Sequence, residues 1–207
     1  MRDYQIKLIK KNDAKIMLES FHYLSKQGFG FRSGFNYGLF IDDKLIGVTI
    51  FHNTTGKSTT MCCFGLNTNE QEGIYELGRL VLDPNEYEKN LTSWFVGKAI
   101  KQLRKDTNVR AILSYADSAF HNGYIYQATN FKYYGLTSRE RDFWFLLEDG
   151  SYKKCQREKI RGAKGEYRER SRKHRYLIIF DKTLKCKWKE QPYPKGDNKG
   201  EYNKLFL

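Results

Sequence analysis

The sequence predicts an α/β domain, a mixed central sheet flanked by helices, followed by a basic C-terminal extension that contains a β-hairpin. Three observations carry this. Apolar residues recur with alternating strand and helix periods in the order β, α, ββ, β, α, β, α, β. The 207 residues, 40% hydrophobic and 15% aromatic, suffice for one well-buried core with an appendage. The net charge of +13 is segregated: residues 1–150 hold 19 lysines and arginines against 17 acids, and residues 151–207 hold 18 against 7. The chain is therefore divided at residue 150, into a catalytic-type domain (1–150) and a basic extension (151–207).

Tyr4 to Lys10 alternates as a first strand, with Ile6 and Leu8 on one face. Asn12 or Asp13 can cap a helix in which Ile16, Met17, Phe21 and Leu24 recur until Gly28. YGLFIDDKLIGVTIF reads as a hairpin turning at Asp42 and Asp43. YELGRLVLD is a further strand, followed by a helix from Leu91 to Arg104; VRAILSYAD is a buried strand, HNGYIYQATNF a short helix and FWFLL a late strand. In the extension, the apolar run Tyr176 to Phe180, a turn at Asp181 and Lys182, and Leu184, Cys186 and Trp188 alternating with lysines predict the hairpin. No internal repeat is evident.

No apolar run approaches the roughly 20 residues of a membrane helix, and MRDYQIKLIKK lacks a signal-peptide core, so a cytoplasmic protein without membrane contact is expected. Four cysteines, two of them adjacent, form neither a dense disulfide framework nor a zinc pattern, and reduced thiols are expected.

The extension's charge and aromatics suit a nucleic acid, because lysine and arginine release counterions from phosphates while aromatic rings stack on bases. Lys153, Lys154, Arg157, Arg161, Lys164, Arg168, Arg170, Arg172, Lys173 and Arg175 are the contacts expected; a solvated basic face is the alternative. Asp117 closes an apolar strand, which puts its carboxylate at the strand's C-terminal end, where open α/β sheets hold ligands; a turn or N-cap role is the alternative. Ser114 lies near it, and Tyr126 can donate a proton or pack. Arg79 offers a forked donor, with Glu76 three residues earlier expected on the opposite face. His22 is a base, a ligand or a helix-end residue. His121 to Gly123 shape a loop.

The element order resembles the acetyltransferase fold of the Gcn5-related (GNAT) superfamily. That resemblance implies a central strand splayed from its neighbour and an acyl donor's pyrophosphate at the N-terminus of the next helix, here NLTSWFVGKAI. Thr92, Ser93 and Gly97 are then the donor-binding residues. The superfamily's glycine-rich phosphate signature is absent.

Four stretches, FHY at 21–23, ELGRLVL at 76–82, SYADSAFHNGYIYQATNF at 114–131 and KHRYLIIF with PYPK downstream, resemble the Mom family of phage adenine-modifying proteins. The resemblance implies a carbamoylmethyl group placed on the exocyclic amine of adenine in double-stranded DNA, blocking restriction enzymes, in the cytoplasm of a phage's host. It raises His22, Arg79, Asp117 and Tyr126 as catalytic residues and nominates His22, Asp117 and Tyr126 as metal ligands, for which iron(II) would be suited. Ser118 stands where the family has proline, and the loop before His121 is shorter.

Acetyl transfer from acetyl-coenzyme A cannot give the family's product, whose methylene is bonded to nitrogen. A glycyl donor, such as a charged tRNA, can: it acylates the amine, and the glycyl nitrogen then attacks the ring carbon and expels the amide. Asp117 would take the amine proton, Arg79 hold the oxyanion and Tyr126 protonate the leaving oxygen. The rival readings are a conventional acetyltransferase using acetyl-CoA on a protein or small amine, and a non-enzymatic nucleic-acid-binding protein.

Overall fold

A computed structural model describes residues 3–22, 30–54, 56–155 and 160–196. The strands are β1 (Tyr4–Leu8), β2 (Phe35–Ile41), β3 (Lys44–Asn53), β4 (Ile74–Leu82), β5 (Ala111–Asp117), β6 (Lys132–Leu136), β7 (Arg141–Leu146), β8 (Tyr152–Lys154), β9 (Gly165–Glu169) and β10 (Lys173–Ile179). The helices are α1 (Lys11–Phe21), α2 (Lys57–Phe64), α3 (Leu91–Asp106) and α4 (Tyr124–Ala128). Seven strands form the main sheet in the order β1-β2-β3-β4-β5-β10-β6, and three form a second sheet, β8-β7-β9. In the main sheet β4 and β5 pair in parallel, and the other pairs are antiparallel.

The β2–β3 hairpin turns through Asp42 and Asp43, both with positive φ (46° and 61°), the twist that matches right-handed strands in a two-residue turn. On one face of the sheet α3 buries Leu91, Phe95, Val96, Ala99, Ile100 and Leu103, a stripe at helical spacing. It packs on Tyr37, Leu39, Leu77, Ile112 and Ala116 together with Tyr126 of α4. On the other face α1 buries Ala14, Met17 and Leu18 against Val48, Ile50 and Val81. α2 places Cys63 and Phe64 against Ile74, Ala111, Leu113 and Leu177.

Several elements differ from the sequence reading. β1 ends at Leu8, and Leu8 is exposed rather than sharing the buried face with Ile6. α1 starts at Lys11 with no side-chain cap; Asp13 lies in its first turn, Ile16 is exposed, and the helix ends at Phe21. Leu24 and Gly28 lie outside the described residues. α2 has no counterpart in the sequence reading, since KSTTMCCF is rich in threonine and serine and shows no apolar period. FWFLL lies in the second sheet. Leu184 to Trp188 forms no strand: the run from Tyr176 belongs to β10, which enters the main sheet between β5 and β6 instead of turning back as a hairpin. The β-rich segment 141–169 is thus an insertion between two strands of the main sheet, and the compositional break at residue 150 falls inside it.

β4 carries a bulge. Ile50 pairs with Arg79 and Phe51 with Leu77, leaving Gly78 extra. The His52 ring lies over Gly78, so close that a Cβ there would be 2.2 Å from Nε2. His52 is buried, and its Nδ1 is 2.8 Å from the Asn53 carbonyl. Gly78→Ala is therefore expected to displace the imidazole and lower stability by about 1–3 kcal/mol in denaturant unfolding; unchanged stability would show that the ring has room to move.

Candidate active site

β4 and β5 stay paired only from Ile74–Ala111 to Leu77–Ser114. Beyond that rung β4 continues beside β3 and β5 continues beside β10, so the two strands fork. At the fork Ser114, fully buried, donates its hydroxyl to the Leu77 carbonyl at 2.8 Å, which satisfies an acceptor the parting strands would leave unpaired.

The bulge corrects the expected alternation. Tyr75 and Leu77 before Gly78 and Leu80 and Leu82 after it all face the α3 layer, so Glu76 and Arg79 share the opposite face. Arg79 Nη1 donates to the Gly78 carbonyl at 2.6 Å and Nη2 to the Gly30 carbonyl at 3.4 Å, which fixes the guanidinium.

His22 ends α1, its N–H bonded to the Leu18 carbonyl at 2.9 Å, and is buried. Burial, then the Arg79 guanidinium and His121, push its pKa down to about 4, so the ring is neutral at physiological pH. His121 accepts the Gly123 N–H at Nδ1, 3.2 Å away, which leaves its own proton on Nε2. Burial lowers its pKa as well, against the pull of Asp117. Tyr126 is buried in the α3-side core, its ring 5.7 Å from Phe131 and 5.2 Å from Tyr176. Burial raises the phenol's pKa, with Ser114 and Arg79 opposing and Glu76 adding, so it is a protonated donor.

Asp117 is engaged elsewhere. Its carboxylate pairs with Lys173 and accepts the Ala119 N–H at 3.0 Å. Burial alone would raise its pKa, but the bonds from Lys173, Ser171 and Ala119 hold it below the usual value. Ala116 faces Tyr126 and the α3 layer, so Asp117, one residue on, leaves the strand on the other face. At the fork Arg79, on the face opposite α3, is in electrostatic reach of His22, as is His121, and Tyr126, on the α3 side, is in electrostatic reach of Ser114, Glu76 and Arg79; Asp117 is not brought to Tyr126. His121, read from sequence as loop-shaping, is the member that sequence reasoning misses; the signal available is its position four residues past a strand-tip aspartate. The nominated metal ligands do not fit a dication: Asp117 is held by an ammonium, His22 adjoins a guanidinium, and Tyr126 lies across the sheet from Asp117. Among the described residues no three His, Cys, Asp or Glu side chains are grouped to hold a metal.

At the start of α3, Asn90 takes a left-handed conformation without a side-chain cap, and Ser93 donates its hydroxyl back to the Asn90 carbonyl at 2.9 Å. Thr92 is half-buried, and a Cβ on Gly97 would meet nothing. The preceding loop is acidic, with Asp83, Glu86 and Glu88; Asp83 Oδ1 caps the Asn85 amide at 2.9 Å. A separate cleft of about 270 Å³ between β1 and α3 is lined by Tyr4, Ile6, Trp94, Lys98, Lys101 and Lys105.

The expected nucleic-acid contacts divide in two. Arg172 Nε donates to the Thr137 carbonyl at 2.6 Å, Lys173 pairs with Asp117, and Arg175 donates to the Tyr134 carbonyl at 2.7 Å while lying 4.5 Å over Trp188. Arg170 pairs with Glu140, Lys154 with Asp142, and Arg168 with Glu166 while covering Tyr152 and Trp144. Arg172, Lys173 and Arg175 thus bond the main sheet and its connections, while Arg170, Lys154 and Arg168 form exposed ion pairs on the second sheet and its connection. Lys153, Arg161 and Lys164 are exposed on the second sheet and its connection; Arg157 lies outside the described residues.

A model of the Mom protein family matches residues 3–195. The chain belongs to the Mom protein family. No curated protein matches it significantly. Its fold is that of the GNAT acetyltransferases. A solved IAA acetyltransferase from Bacillus cereus is 13% identical, with a TM-score of 0.51, covering 86% of the Mom-family chain and 100% of its own. A Bacillus subtilis acetyltransferase in complex with CoA (13% identity, TM-score 0.49, 87% and 99% covered) and the ribosomal-protein-S18-alanine N-acetyltransferase of Escherichia coli (13%, 0.49, 86% and 95%) also match. No helix among the described residues is long and apolar enough to cross a membrane.

In this Mom-family protein the buried neutral His22 links folding to pH. Its folded pKa, about 4, lies below the ordinary histidine value of 6.5, so its contribution to stability is complete above 6.5 and is lost as pH falls toward 4, on the order of 3 kcal/mol in all. His22→Gln should flatten the acid limb of a stability–pH curve by about one proton over that window; an unaltered slope would mean that the imidazole titrates normally.

Proposed function

We propose that this protein is a transferase that places a carbamoylmethyl group on the exocyclic amine of adenine in DNA, by acyl transfer at the fork between β4 and β5, and so protects the DNA from restriction. The observation that carries the reading is the fork itself, where a neutral imidazole (His22) and a protonated phenol (Tyr126) each lie in electrostatic reach of the Arg79 guanidinium.

Adenine's amine is a poor nucleophile that must leave the base stack, at a cost of about a few kcal/mol. His22, neutral above pH about 4, accepts the proton the amine sheds on attacking the donor's carbonyl. Arg79 steadies the oxyanion, and Tyr126 protonates the departing oxygen. The sequence assigns the base to Asp117; with its carboxylate held by Lys173, Asp117 instead positions the loop that carries His121. A glycyl ester delivers its aminoacetyl group to the adenine amine and releases the alcohol. The glycyl nitrogen then attacks the ring carbon and expels the amide. The ring is left bonded to the glycyl nitrogen, with the methylene next and a terminal carboxamide that carries adenine's original nitrogen, and no oxidant is needed.

The glycyl donor is favoured over acetyl-coenzyme A by the product, whose methylene is bonded to nitrogen. Thr92, Ser93 and Gly97 remain the residues a CoA-type donor would use. Nucleoside mass spectrometry of DNA from expressing cells fed labelled glycine or labelled acetate tests the route. Glycine label in modified adenine is expected, with modification reduced at least tenfold by Tyr126→Phe and by His22→Gln. Label from acetate alone would overturn the glycyl donor, and undiminished modification in both variants would remove the fork from the chemistry.

Double-stranded DNA is the partner proposed for the second sheet. Replacing Lys153, Arg161 and Lys164 by alanine should weaken binding and lower the slope of log K against log salt by about 0.9 for each phosphate that is no longer neutralised. An unchanged slope would place the DNA on another face.

A further inference from the structure

On the face of the sheet opposite α3, two cysteines 123 residues apart in sequence have come together. Cys63, on α2, and Cys186, in the segment after β10, have their sulfurs 3.7 Å apart, and none of the four cysteines is in a disulfide. The segment that carries Cys186 is fixed on both sides. Leu184 packs with Cys63, Ile74, Leu113 and Leu177, the Lys187 N–H donates to the Cys63 carbonyl at 2.7 Å, and the Gln191 N–H donates to the Tyr133 carbonyl at 2.8 Å. The two sulfurs are thus in contact, against ~2.05 Å in a disulfide.

The two thiols are unequal. Cys63 is fully buried and Cys186 partly exposed. The Cys63 thiol, the Trp188 N–H, the Tyr134 hydroxyl and the Arg175 guanidinium bring the Cys186 thiol down to about 7 against the cost of its burial, while Cys63 is pushed well up and stays protonated. A thiolate near neutral pH beside a buried thiol has a built-in order of events, because only the exposed sulfur can be reached and only the thiolate attacks.

We propose that Cys186 and Cys63 form a dithiol modification site that reacts with low-molecular-weight disulfides, Cys186 as the attacking sulfur and Cys63 as the resolving one. In the first step the Cys186 thiolate attacks RS–SR, forming a mixed disulfide and releasing RS⁻. Cys63 then gives up its proton and attacks Cys186 Sγ, breaking the mixed bond and releasing the second RS⁻. One proton goes to a departing thiolate; the two cysteines lose two electrons and the reagent gains them. The product ties α2 to the C-terminal segment across the face of the sheet opposite α3. It rests on nothing in the reading of the fork.

The test is exposure of the native protein to glutathione disulfide, acid quenching, alkylation of the remaining thiols and peptide mapping. A Cys63–Cys186 cross-linked peptide is expected, together with a higher unfolding midpoint reversed by reductant. With Cys63→Ser the glutathione adduct should accumulate on Cys186; with Cys186→Ser none should form on Cys63. In the unmodified protein, Cys186 should also be alkylated at neutral pH faster than the more exposed Cys62. Oxidation confined to Cys62 or Cys155, or alkylation of Cys186 slower than that of Cys62, would overturn the proposal.

Discussion

The functional end of this protein depends on two strands that stop pairing. A parallel ladder of four residue pairs is short, and ending it in the interior leaves carbonyls and amides to be satisfied. Ser114 settles the first of these by bonding the Leu77 carbonyl, and the bulge at Gly78 turns β4 toward β3 just beyond it. The bulge also rephases the strand, so that Arg79 and Glu76 reach the same face. His52 is seated where Gly78 has no side chain. Fork, bulge and imidazole are one device, and removing any of them changes where Arg79 points.

Around that fork the surroundings keep His22 and Tyr126 uncharged. His22 is buried beside a guanidinium, which denies it a proton, and Tyr126 is buried in the aromatic core, which denies it ionisation. A proton acceptor and a proton donor thus coexist at neutral pH, each held in the useful form by its surroundings. Asp117, by contrast, is fully ionised, and its charge is answered by Lys173 in the neighbouring strand. The carboxylate that looks most reactive in the sequence is the one most occupied with holding two strands and a loop together.

Much of the fold is legible in the sequence because it rests on periodicity. The β2–β3 hairpin and α3 emerge close to where the apolar pattern puts them, and the fork is where the resemblance to the GNAT fold implies a splayed central strand. What escapes depends on distant partners. A bulge has no mark in ELGRLVL beyond one glycine, so the relation of Glu76 to Arg79 comes out inverted. α2 lacks an apolar stripe because it covers only a small area, and β10 reads as part of a tail because composition reports charge, not pairing. Asp117 finds its partner 56 residues away, a separation no local pattern conveys.

The placement of β10 changes what the C-terminal charge means. Were the basic region a tail, its cations would all be available to a partner. As an insertion it must leave the sheet after β6 and return into β10, and both crossings are pinned: the Thr137 N–H bonds the Lys173 carbonyl, and Arg172 bonds the Thr137 carbonyl. Six of the cations singled out by sequence are used in this closure and in pairing within the second sheet, where Arg168 lies between Trp144 and Tyr152. Residues 141–169 hold 8 lysines and arginines against 6 acids, and residues 170–207 hold 11 against 4, so most of the C-terminal excess lies beyond the second sheet. That sheet is tethered to the main sheet at both ends, by the bonds that join Thr137 to Lys173 and Arg172. A flexible tail could raise the local concentration of a duplex; an anchored insertion can also fix which stretch of it faces the fork.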